Sequence, residues 1–282
     1  MKKISFIIFA VLVLFSGWQL MFKRDDPAQN PPRVIEVGMG MTVKNFIERN
    51  RLEMGKRVPQ GYGIDVDKLT DVMPIFFDDN WIALRFLDGA QSFNLPPGRT
   101  LQVSQRAGRV IGISFRPFAQ PRPLKDMIIY VNELLGTLEK EGWKPTSPST
   151  PPANADDFDS AGKNIFAEMV ATSGSKLQMT LRDYGLAPRH ESFILLPDPT
   201  YKPAESSRTY LLEVDVMDYD GRVYEELIYP RRLFETSDLD KAIPLRRWIE
   251  NPDWFPEKAG MVPTSSEERA QPDFSNWKMP SR

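Results

Sequence analysis

Asp215, Asp218, Asp220, Glu225 and Glu226 crowd hard oxygen donors around Gly221, the kind of set that calcium takes. Setting Gly221 at the sixth position of a calcium loop puts Val216 first and Leu227 twelfth, where ligands are required, so a tight turn at Asp220-Gly221 accounts for the same residues. Ser173-Gly174-Ser175-Lys176 fits S-x-x-K, in which a lysine one helical turn away activates a serine. No K-T-G partner accompanies it, and Gly174 weakens a helix start. Gly38-Met39-Gly40 supplies two glycines of a dinucleotide fingerprint, but Val43 stands where the third belongs. His190 lies in the polar stretch Ala187 to Ser192 without a second ligand and reads as a surface residue. Asp156, Asp157 and Asp159 adjoin a linker and read as loop or helix-start residues. Aspartates and glutamates are frequent enough to furnish a glycosidase-type pair, and no spacing selects one. The chain has no cysteine, which removes disulfides, thiolate metal sites and cysteine nucleophiles together. No catalytic residue, cofactor or metal is therefore expected.

Aromatic and acidic residues in combination point to protein recognition instead. Phe76, Phe77, Asp78, Asp79 and Trp81 form one such group, and Trp248, Asp253 and Trp254 form another; aromatic anchors with charged rims are the usual composition of interface hot spots. A net charge of −2 gives no electrostatic reason to bind nucleic acid.

The elements that must carry these groups begin with an apolar run. Ile4 to Phe22 is uncharged, and nineteen residues at the helical rise span ~28 Å, close to the hydrocarbon thickness of a bilayer. Bulky groups flank the small residues at Phe15-Ser16-Gly17-Trp18-Gln19, unlike a cleavage site, so residues 1–24 are read as a retained signal anchor. Trp18 occupies the place where a lipobox needs cysteine, which excludes lipidation there. Lys2 and Lys3 favour a cytoplasmic amino terminus and a periplasmic bulk, in a bacterial inner membrane crossed once. Residues 1–24 hold four basic groups and no acidic ones, which leaves the remainder at a formal −6.

Prolines, 25 in 282 residues, predict short helices and many connections. Residues 25–33 read as a Pro-rich tether, 34–145 as a first α+β domain, 146–160 as a linker, 161–262 as a second α+β domain and 263–282 as a polar tail. In the first domain, Val34 to Val37 predicts a strand, and Thr42 caps a short helix with Val43, Phe46 and Ile47 on one face. Thr100 to Phe115 predicts a hairpin turning at Ala107-Gly108. Pro123 opens a helix whose Leu124, Ile128, Val131, Leu135 and Leu138 form a stripe, with Gly142 past its end and Trp143 folding back onto the core. In the second domain, Thr209 to Met217 and Val223 to Tyr229 flank Asp220-Gly221 as a hairpin. A helix follows whose stripe Leu239, Ile243 and Trp248 is interrupted at Pro244. Arg-Thr precedes the first strand of each hairpin (Arg99-Thr100, Arg208-Thr209), and Gly-Arg-Val marks each turn (Gly108-Arg109-Val110, Gly221-Arg222-Val223), the pattern of a duplicated strand–strand–helix unit. The fold class expected is α+β with antiparallel sheets behind a transmembrane helix. The function expected is a membrane-anchored periplasmic module that binds a protein partner, most specifically an immunity protein against an exported toxin. The alternatives are a structural accessory factor of an envelope or secretion machine and a carboxylate-dependent hydrolase.

Overall fold

A computed structural model describes residues 31–52, 75–77, 82–118, 121–184, 208–218, 233–234 and 241–264. The protein is a mixed α+β structure with one large sheet and few helices. Nine strands follow in chain order: β1 (Arg33–Val37), β2 (Ile75–Phe77), β3 (Ile82–Phe86), β4 (Phe93–Arg106), β5 (Arg109–Pro117), β6 (Lys144–Pro145), β7 (Lys163–Val170), β8 (Ser175–Asp183) and β9 (Tyr210–Asp218). Among the described residues three α-helices accompany them: α1 (Val43–Arg49), α2 (Leu124–Lys140) and α3 (Leu245–Glu250). The sheet runs β1-β3-β4-β5-β9-β8-β7-β6, with β2 also paired to β4. All described pairings are antiparallel except β1 with β3.

Several elements form where local chemistry placed them. The Thr42 side chain accepts from the Asn45 amide at 2.9 Å and starts α1, which buries Val43 and Phe46. The β4–β5 hairpin turns at Ala107 (φ 45°) and Gly108 (φ 73°), the paired left-handed conformations of a tight two-residue turn. Helix α2 buries Met127, Val131, Leu134, Leu135 and Leu138, so its stripe is centred nearer Met127 than Ile128, which is half-buried. Gly142 follows at φ 95°, and Trp143 returns to the core, where its Nε1 donates to the Gln91 carbonyl at 2.8 Å. The rings of Phe86 and Phe93 pack around it. A fully buried large side chain of this kind contributes ~1.5–3 kcal/mol.

The strands of residues 33–117 and those of residues 144–218 belong to a single sheet. β5 and β9 pair over Gly112–Phe115 and Val214–Met217, so the strands of the two segments form one sheet over one hydrophobic core that includes Phe115, Leu138, Met179 and Leu212. Residues 146–160 consequently connect strands of the same sheet. The Thr146 and Thr150 amides donate to the Glu168 and Phe166 carbonyls along the edge of β7. The opposite edge is covered at Glu36 of β1, whose N–H and C=O both pair with the side-chain amide of Asn50 at 2.8 Å. That amide stands in for a neighbouring strand and shields the edge. Pro244 lies at the start of α3 and does not interrupt it. β9 has β5 and β8 on its two sides over Val214–Met217. The second hairpin's Asp220-Gly221 turn and return strand, with Leu239, lie outside the described residues, as do the apolar run Ile4 to Phe22, the tether up to residue 30 and most of the tail. No helix among the described residues is long and apolar enough to cross a membrane.

The turn and α3 are closely fitted. A Cβ on Gly108 would lie 2.5 Å from the Trp248 Cβ and would also be held at a positive φ. Gly108→Ala is expected to lower the unfolding free energy by about 2–4 kcal/mol in urea denaturation.

Candidate functional site

Trp248 is buried, and it organises the end of the hairpin. Its ring forms a small core with Ala107, Phe234 and Ile243, packed by the partly buried Leu233, Trp254 and Phe255. The Trp248 Nε1 donates to the Trp254 carbonyl at 3.2 Å, and the two indoles meet edge to face at 5.5 Å. Trp248 therefore acts as a core residue rather than a surface anchor. It fixes the loop Asn251–Phe255, in which the Trp254 amide donates to the Asn251 carbonyl and the Asp253 amide donates to Asn251 Oδ1. Asp253 is held out from this platform with its side chain 94% exposed, 3.8 Å from the Arg109 guanidinium. Burial pulls the pKa of Arg109 down, and Asp253 opposes that shift. An ion pair this exposed is worth little, ~0–1 kcal/mol, and it leaves the Asp253 carboxylate facing solvent.

Of the other expected group, Phe76 and Phe77 lie on β2, opposite Gln102 and Leu101 of β4; Asp78, Asp79 and Trp81 lie outside the described residues. His190 does as well.

The remaining candidates have structural work. Gly38-Met39-Gly40 leads from β1 to the hairpin turn, where the Gly40 amide donates to the Val110 carbonyl and the Val43 amide to that of Gly108. Ser173 and Lys176 do not form an activated pair: the chain turns between β7 and β8 there. Ser173 Oγ donates to Asp88 Oδ2 at 2.5 Å, while Lys176 Nζ lies 2.9 Å from Glu168. Asp157 Oδ2 accepts from the Ala153 and Asn154 amides, and Asp159 Oδ1 from those of Ala161 and Lys163, so both acids shape turns. Among the described residues no group of three or more metal-ligating side chains is assembled.

Sequence reasoning missed a charged cluster in the middle of the sheet. Arg116 on β5, Glu213 and Asp215 on β9, and Arg182 on β8 lie on one face, opposite the core residues Phe115, Val214 and Leu181. Glu213 Oε2 accepts from Arg116 Nη2 at 3.0 Å and from Arg182 Nε at 2.9 Å. Arg116 is only 5% exposed and its Nη1 has no partner among the described residues. Burial lowers the pKa of Arg116, and Glu213 is the main opposing influence. Asp215 is pushed up to about 6, by burial first and then by the Glu213 charge, with the Ser114 hydroxyl and the two arginines pulling the other way. The signal that could have found this cluster is the alternation Ser114, Arg116 and Glu213, Asp215, which puts charge on one face of each strand.

Comparisons with known protein families, curated proteins and solved structures find no match to this chain.

Two substitutions test these assignments. Trp248→Ala is expected to cost about 3–5 kcal/mol in denaturant unfolding, the range for emptying a buried tryptophan site. Glu213→Gln removes the charged acceptor of the buried Arg116 and is expected to cost about 3–5 kcal/mol by the same measurement, whereas Asp253→Asn changes it by less than about 0.5.

Proposed function

We propose that the chain is a non-enzymatic protein-binding module, anchored in the bacterial inner membrane by Ile4 to Phe22 with its bulk in the periplasm. The observation that carries this reading is the loop Asn251–Phe255, an acidic and aromatic projection whose conformation is fixed by Trp248 before any partner arrives. A pre-ordered loop loses less conformational entropy on docking than a mobile one, so more of its contact energy becomes affinity. The exposed Asp253 carboxylate suits a basic surface on the partner, and the mildly acidic charge of residues 25–282 favours the same encounter at long range. In its most specific form the module is an immunity protein that covers the cleft of an exported antibacterial toxin. A structural accessory role in an envelope or secretion machine uses the same surface on a permanent partner.

A second reading, a carboxylate-dependent hydrolase, is favoured by the pair Glu213 and Asp215. Asp215 keeps its proton to about pH 6 beside Glu213, whose Oε2 accepts from both arginines, and a protonated acid next to a second carboxyl group is a starting point for acid–base chemistry.

The purified full-length chain separates the readings. Binding predicts a stoichiometric complex with the partner that Asp253→Lys weakens about tenfold or more while the thermal midpoint stays unchanged. Turnover of peptidoglycan or lipid substrates that Asp215→Asn abolishes would establish the hydrolase instead. Recovery of the intact chain in the soluble cell interior would overturn the anchored location.

A further inference from the structure

Within the sheet, the β5–β9 pairing is the junction between the strands of residues 33–117 and those of residues 144–218. It is short: four residue pairs are in register, against seven between β4 and β5 and nine between β8 and β9. The charged cluster sits on this junction. Ser114 and Arg116 face it from β5, Glu213 and Asp215 from β9, and Gln178, Thr180 and Arg182 from β8, with the Lys176–Glu168 pair farther along the same face. The two cations and two anions are not shared evenly. Both guanidinium groups bond to the same oxygen of Glu213. Asp215 takes a hydrogen bond from Ser114 and, among the described residues, no direct ion pair. An ionised Asp215 therefore lies two residues from Glu213 on one strand, in a site that is largely out of water, with its charge uncompensated by contact.

We propose that the β5–β9 junction is a proton-operated clasp, in which proton uptake by Asp215 removes the like-charge repulsion from Glu213 and tightens the seam between the two halves of the sheet. The sign follows from the raised affinity for the proton. The closed seam binds it more tightly than an opened one, where Asp215 returns to an ordinary aspartate, so the seam is firmest in acid and loosens as pH rises through about 6. A neutral Asp215 also turns from acceptor to donor and remains able to bond with the Ser114 hydroxyl. This inference does not depend on which partner or reaction the protein serves.

Hydrogen exchange of the full-length chain between pH 5 and pH 8, corrected for intrinsic exchange rates, reads the clasp directly. Peptides covering Gly112–Phe115 and Val214–Met217 should lose protection by roughly tenfold over that interval, the part of a shift of about two pH units that lies above pH 5. Peptides from β3 and from the β7 side of the β7–β8 hairpin should change much less. Asp215→Asn should abolish the pH dependence and hold the seam near its acid-side protection. In the unaltered protein, the carboxyl carbon of Asp215 followed by NMR should titrate near pH 6, a reading that survives if the variant fails to fold. Seam protection that is flat with pH, an equal change in Asp215→Asn, or a carboxyl titration below about pH 4.5 would each overturn the proposal.

Discussion

The constraint on which the structure depends is the pairing of β5 with β9. Four residue pairs there turn two sets of strands into one sheet, and one hydrophobic core lies along a face of it on both sides of the seam. On the other face the seam holds Arg116, Glu213, Asp215 and Arg182. Glu213 accepts from both arginines, which gives the junction register as well as strength, because a shift by one residue would move Glu213 into the core and Val214 out of it. The adjoining backbone pair, Arg122 with Tyr210, ties the start of α2 to the same strand.

Away from the seam, the fold is used to make a fixed projection. The β4–β5 turn receives α3 because Gly108 leaves room for Trp248, and Trp248 in turn holds Trp254 and the loop beyond it. Gln91 acts similarly at the other end of the hairpin strands. Its side chain donates to the Gly142 carbonyl and accepts from the Thr172 amide, joining the end of α2 to the β7–β8 turn. Both arrangements rest on a buried side chain that satisfies loop backbone, which is how irregular segments are held in one conformation.

Local elements were legible because local chemistry determines them. Thr42 caps α1, Ala107-Gly108 turns the hairpin, and the recurrence of Val131, Leu135 and Leu138 marks α2, with Trp143 returning after Gly142. What was not legible depends on partners far along the chain. The strand β8 alternates cleanly, with Leu177, Met179 and Leu181 buried between Lys176, Gln178, Thr180 and Arg182, but a resemblance of Ser173 to Lys176 to a catalytic helix start competed with that pattern. The proline and serine run at 146–153 has the composition of a domain linker, yet it dresses a sheet edge, and composition alone does not distinguish the two uses. The cluster at Arg116 and Glu213 joins residues 97 apart in sequence; alternation puts charge on one face of each strand but does not say that the two strands are neighbours. Trp248 carries two readings in the sequence, a member of a buried stripe and an interface anchor, because a tryptophan beside acids looks the same whether its ring is buried or exposed; its ring is buried.

Both halves form one cooperative sheet through the seam, so equilibrium urea unfolding of the full-length chain, followed by hydrogen exchange in β3–β4 and in β7–β8, should give one shared midpoint for the two regions, moved together to lower urea by Glu213→Gln. Two well-separated midpoints, with only one displaced by that substitution, would contradict it.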